Sequence, residues 1–182
     1  LFQIWLNLPA RDKMVDPYFT MLWSHVTPTE VITGANGEGS VSLTVLAGRI
    51  RNLEPATPPP DSWASRDGAD VAIWHLSMEP HTRFELPVAA EESTRALYAF
   101  EGSTVTIGAT EIDAGTGALI QSDEVIELSA GPEGIEIMIL QGRPIGEPVA
   151  QHGPFVMNTQ SEIQDAFSDY QATQFGGWPW PN

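Results

Sequence analysis

The chain has 182 residues, 42% of them hydrophobic, which is enough for one domain with a sizeable core and too apolar for a disordered chain. Eight Lys+Arg against 24 Asp+Glu give a net charge of −16, a field that repels phosphate backbones and argues against direct nucleic-acid binding. The absence of cysteine excludes a disulfide framework, a thiolate zinc site and a cysteine nucleophile.

Residues 1–8, LFQIWLNL, alternate Phe2, Ile4, Leu6 and Leu8 against Gln3 and Asn7, which predicts a strand. Tyr18–Val26 reads as a second apolar strand, ended by Thr27-Pro28. After the turn residues GANGEG at 34–39, Val41, Leu43 and Val45 alternate as a strand up to Gly48. Glu54–Gly68 has no periodicity and carries three consecutive prolines, which fit neither a sheet interior nor a helix. It reads as an exposed loop within one domain, with a domain linker as the alternative.

Strand patterns then follow closely: Val71–Met78, Phe84–Val88, Ala96–Phe100, Thr104–Ile107, Glu111–Ile112, Ala118–Ile120, Val125–Leu128 and Ile135–Leu140. Glu101-Gly102, Gly115-Thr116-Gly117 and Gly131-Pro132 separate them as turns. Many short strands with Gly-rich turns predict an all-β sandwich or barrel of the jelly-roll kind. A stiff Gly/Pro loop runs from Gly142 and carries Arg143, Glu147, Gln151 and His152. It leads to a helix opened by Thr159 and Glu162 as a capping box, with Asn158 as the alternative cap. Ile163, Ala166, Phe167 and Tyr170 form one apolar face of that helix. Trp178-Pro179-Trp180-Pro181 ends the chain with apolar groups expected to dock against the barrel or a neighbour.

No run reaches membrane-spanning length and no basic-then-apolar leader is seen, so the expectation is a soluble, cytoplasmic chain with no membrane partner. A start at Leu1 rather than Met, inside a strand pattern, suggests a processed product or a fragment of something longer.

The stretches LFQIWLNLPARDKMVDPYF at 1–19, LQGRPIGEPVAQHGPFVMNT at 140–159, EIQDAF at 162–167 and ATQFGGWPWP at 172–181 closely resemble the pirin family. Between about Glu30 and Gly134 the likeness lies in strand pattern more than in residues. Pirins are bicupins, so the resemblance implies a cupin-type jelly-roll β-barrel with a short C-terminal α-helix. Residues 1–20 would be a connecting segment and a strand from the preceding barrel, 21–158 the C-terminal cupin barrel, and 159–182 the capped helix and Trp-rich tail. It also implies a parent with quercetin 2,3-dioxygenase-type activity. The parent's iron would sit in an N-terminal barrel absent here, itself the first expected partner. The family's link to transcriptional co-regulation implies the alternative, a non-enzymatic module with protein partners.

Leu97–Gly102 looks like the cupin turn, and counting back from Gly102 places Val88 and Ala90 where the metal ligands would stand. Neither can coordinate. Pro80-His81 departs from the family's Pro-Gly. No catalytic, cofactor-binding or metal residue is therefore assigned to this chain. His75 and His81, with Glu79 or Glu85, are weighed as a metal set and read as surface or satisfied histidines. His152 beside Glu147 is weighed as a general base and read as a loop-fixing donor. Arg143 and Glu147 are read as an ion pair, and Asp123-Glu124 and Glu91-Glu92 as solvated acids.

Overall fold

The structure is a computed structural model that describes residues 1–174, and the predicted Trp178–Pro181 docking lies outside the described residues. Twelve strands and one α-helix are present among them. The chain divides into two compact units, one made of Tyr18–Pro144 and the other of Leu1–Pro17 with the chain from Ile145 onward.

The larger unit is built from period-2 alternation. Strands β2 (Ser40–Ala47), β3 (Ala72–Met78), β5 (Thr94–Gly102) and β10 (Ile135–Gly142) turn one apolar set inward, for instance Val41, Leu43 and Val45 on β2. With β1 (Thr29–Thr33) and β8 (Thr116–Ile120) they form a six-stranded sheet in the order β1-β2-β3-β10-β5-β8. A four-stranded sheet, β4-β9-β6-β7, combines Arg83–Leu86, Ile126–Ala130, Thr104–Ile107 and Thr110–Asp113. Every pairing is antiparallel. Leu43, Leu76, Leu97, Ile137 and Ile139 of the first sheet share one core with Phe84, Leu86, Val105 and Leu128 of the second. Two layers of inward side chains thus make the unit a sandwich around an apolar core.

Two irregularities shape the strands. The ladder between β10 and β5 shifts register between Glu136 and Ile137, and the one between β2 and β3 shifts between Val45 and Ala47. Each inserts an extra residue on one strand and sharpens the local twist. Gly102, at φ +106°, ends β5 where an added Cβ would collide with the Gly134 carbonyl. The proline-rich segment 54–68 belongs to this unit. Its short 3₁₀ turn Trp63–Ser65 is capped by Ser62, and the Trp63 indole donates to the Arg143 carbonyl at 2.9 Å.

The predicted strands at 1–8 and 18–26 do not form. Leu1–Leu8 has no regular structure, and the amides of Val26 and Thr27 turn back onto the Trp23 carbonyl. Alternation alone gives no strand unless a neighbour takes up the backbone donors and acceptors. The first strand observed, β1, lies further on and buries no residue fully.

In the smaller unit, the loop expected to run directly to the helix instead folds as a hairpin of β11 (Ala150–His152) and β12 (Phe155–Met157). Helix α1 (Gln160–Thr173) follows with the predicted capping box: Glu162 N–H donates to Thr159 Oγ1 at 3.2 Å, and Thr159 N–H donates to Glu162 Oε2 at 2.7 Å. Gln174 in the left-handed region ends the helix. Ile163, Ala166 and Phe167 pack on Ala150, Phe155 and Met157, and Phe155 meets the Phe167 ring edge-on at 4.7 Å.

Candidate functional site

Ser93, Arg95 and Gln141 gather at one end of the larger unit's interior, while Thr82 is buried at the β3–β4 turn. Strand β5 turns Arg95, Leu97 and Ala99 inward, so an arginine takes a place in an apolar row and is only 1% exposed. Gln141 takes the matching place on β10, in the row of Ile135, Ile137 and Ile139, and stands directly opposite Arg95 in the ladder. The Arg95 Nε and Nη2 groups both donate to Gln141 Oε1, at 2.8 and 2.5 Å. Gln141 Nε2 donates to Asp70 Oδ2 at 2.8 Å, an oxygen that also accepts from Ser93 Oγ at 2.6 Å and Ala90 N–H at 2.9 Å. The Arg95 guanidinium carbon lies 6.0 Å from the Trp74 ring centre.

Burial lowers the pKa of Arg95, and the Asp70 carboxylate acts against that shift. A guanidinium stays charged even so, because its ordinary value is so high. Arg95 Nη1 is buried and has no partner among the described residues. The network closes the interior with one fixed positive charge and one fixed carboxylate, joined through an amide. Asp70 sits at φ +49°, a left-handed conformation held by these three donors to its carboxylate.

A divalent cation does not fit this interior. Among the described residues no three His, Cys, Asp or Glu side chains converge. The inward charged group beside the core is a guanidinium, which repels a cation and cannot ligate one. Val88 and Ala90, at the counted ligand positions, lie in the connection between β4 and β5; Val88 is exposed, and Ala90 gives its amide to Asp70.

The histidines weighed from the sequence are placed apart in role. His75 Nε2 lies 2.6 Å from Glu136 Oε2 on the outer face of β3 and β10, and Ser77 Oγ donates to Glu136 Oε1 at 2.6 Å. The carboxylate takes both neighbours, so Ser77 and His75 do not form the Ser–His contact that a nucleophile relay requires. His81 sits at φ +62° in the β3–β4 turn, where its carbonyl accepts from Asn36 Nδ2. Glu79 Oε2 accepts from Ser40 N–H at 2.8 Å.

The residues of the Gly/Pro segment also have structural partners. Arg143 donates to the Glu91 carbonyl at 3.2 and 2.7 Å, while Glu147 Oε2 accepts from Ala10 N–H at 2.6 Å and Asn158 Nδ2 at 3.1 Å. Arg143 and Glu147 are thus each anchored within their own unit, and Arg143 Nε also lies 4.0 Å from Glu92 Oε2. His152 lies on β11 and meets Phe167 edge-on at 5.3 Å, so it braces the hairpin on the helix by packing.

Two antiparallel sheets around one apolar core, with the final strands passing into a hairpin and a capped helix, define a cupin-type jelly roll. A crystal structure of quercetin 2,3-dioxygenase from Acinetobacter baumannii superimposes with a TM-score of 0.78 at 25% identity, covering 94% of this chain and 55% of that one. Residues 73–176 match the pirin C-terminal cupin domain, and the chain belongs to that family. A pirin-like protein of Caulobacter vibrioides is 32% identical over 174 residues, which are 96% of this chain and 58% of that protein. A pirin-like protein of Solanum lycopersicum is 31% identical over 184 residues, covering 96% of this chain and 56% of its own. The chain therefore spans little more than half the length of these relatives.

Proposed function

We propose that this chain is the structural, C-terminal cupin half of a pirin-like bicupin whose oxygenase chemistry, of the quercetin 2,3-dioxygenase type, belongs to an N-terminal barrel. The observation that carries the reading is the interior of the barrel. Where a metal-bearing cupin needs converging imidazoles and carboxylates, this one holds apolar side chains closed off by Arg95, Gln141 and Asp70. The likeness to a solved quercetin 2,3-dioxygenase and the partial coverage of longer relatives support the assignment of activity to the longer protein.

Iron, bound in the N-terminal barrel, would supply the Lewis-acid and redox chemistry of that activity. This chain contributes a rigid, water-excluding barrel and the hairpin-and-helix unit, in which Glu147, Asn158 and the capping box lock backbone to side chain. Quercetin, dioxygen and iron(II) offered to the 182-residue chain alone should give no quercetin consumption, while the full-length parent consumes it. Turnover by the chain alone overturns the assignment.

A non-enzymatic, protein-binding role is the second reading, and the net charge of −16 favours it as far as basic partners are concerned. Such binding weakens as salt rises, so capture that is insensitive to ionic strength counts against it. No helix among the described residues is long and apolar enough to cross a membrane.

A further inference from the structure

Lys13 is the single lysine of the chain. It follows the short 3₁₀ turn Ala10–Asp12, whose first amide is anchored by Glu147, so the backbone carrying it is fixed. Its side chain reaches into a cleft of about 540 Å³, within the size range of small-molecule sites, walled by Ile4, Trp5, Leu6, Pro154 and Val156. Trp5 is 58% exposed and lines the same cleft as Lys13.

The polar contacts of the amine are specific. Lys13 Nζ donates to Asn7 Oδ1 at 2.8 Å and to the Val156 carbonyl at 3.1 Å. Both acceptors are neutral oxygens. A neutral amine keeps two hydrogens, enough for both bonds, and its lone pair takes the third position. Burial lowers the pKa of Lys13, with the negative fields of Glu147 and Glu162 acting against it. A lysine partly desolvated beside apolar walls is one way proteins prepare an amine nucleophile.

We propose that this cleft is a carbonyl site, at which Lys13 forms an imine with a planar aromatic aldehyde laid against Trp5. Lys13 Nζ attacks the carbonyl carbon as the C=O π bond breaks, and the oxygen takes the proton that the nitrogen gives up. The carbinolamine then loses its hydroxyl together with the remaining N–H proton as water, and the nitrogen lone pair forms C=N. No oxidant or reductant takes part. The site goes beyond the structural role above and does not depend on it.

The chain carries its own reference, because the only other primary amine is the α-amino group of Leu1. The 182-residue chain is incubated with 2-naphthaldehyde or with propanal, imines are trapped with cyanoborohydride, and labelling at Lys13 and Leu1 is read by peptide mass spectrometry. The Lys13-to-Leu1 ratio should rise about fivefold from propanal to naphthaldehyde, the factor expected of one aromatic contact. Trp5→Ala should bring the naphthaldehyde ratio down to the propanal value. Equal ratios for the two aldehydes in the unmodified chain refute the proposal, whatever the variant does. A naphthaldehyde preference that survives Trp5→Ala refutes it as well.

Discussion

Replacing Gln141 by Leu tests the interior network most sharply. The substitution keeps bulk and apolar contact, but removes the acceptor that takes both Arg95 Nε and Nη2. Nη1 is already without a partner, so the guanidinium would be left buried with none of its donors satisfied by a side chain. Removing one partner of a buried charge typically costs about 3–5 kcal/mol. Asp70 also loses one donor but keeps Ser93 and Ala90, so the lower end applies, about 3 kcal/mol. In a chain of this size that corresponds to a fall in Tm of roughly 6–12 °C. The Arg95→Met, Gln141→Leu double variant removes charge and acceptor together with little change in volume, and should lie within about 1.5 kcal/mol of the unmodified chain. Urea unfolding of all three proteins gives the comparison. A Gln141→Leu cost below about 1 kcal/mol, or a double variant less stable than the single one, refutes the view that unsatisfied charge dominates this end of the barrel.

Three further outcomes are expected. Gly102→Ala places a Cβ against the Gly134 carbonyl at a φ of +106°, and should cost about 3 kcal/mol by urea unfolding. Thr159→Ala removes one arm of the capping box and should destabilise helix α1 by about 1 kcal/mol, read from amide exchange in 160–173. Hydrogen bonds from the Thr159 side chain and backbone hold the Glu162 pKa below the usual carboxylate range. A depressed carboxylate stabilises the fold above its unfolded pKa, and that contribution is lost as pH falls through the folded one. Helix α1 should therefore fray on acidification below the usual glutamate range, with the Glu162 NMR midpoint moving up toward that range in Thr159→Ala.

Much of the larger unit could be read along the chain because its strands alternate cleanly between Gly-bearing turns. The predicted Thr104–Ile107 is the strand observed, and Ile135–Leu140 extends only to Gly142. β1 escaped notice because Thr29–Thr33 buries nothing fully and carries little apolar signal. The opposite error fell on Leu1–Leu8 and Tyr18–Val26, where apolar character exists without a partner strand among the described residues; Phe19 is 77% exposed. The β11–β12 hairpin hid in three-residue strands set among glycines and prolines.

The interior network was not read from the sequence: the predicted Ala96–Phe100 and Ile135–Leu140 stop one residue short of Arg95 and Gln141, which take inward places in apolar rows. Their link to Asp70 was not visible, because it joins residues 71 positions apart through a loop conformation no periodicity announces. Lys13 needed only a count of lysines to be noticed, but its cleft depends on Pro154 and Val156 of a hairpin far along the chain.

Whether this barrel lacks a metal of its own is decided by metal analysis. The chain is loaded anaerobically with iron(II), separated from free metal by gel filtration and assayed for iron per chain. Far below one equivalent is expected, since the interior presents a guanidinium and no converging ligand set among the described residues. About one tightly held iron per chain contradicts that expectation.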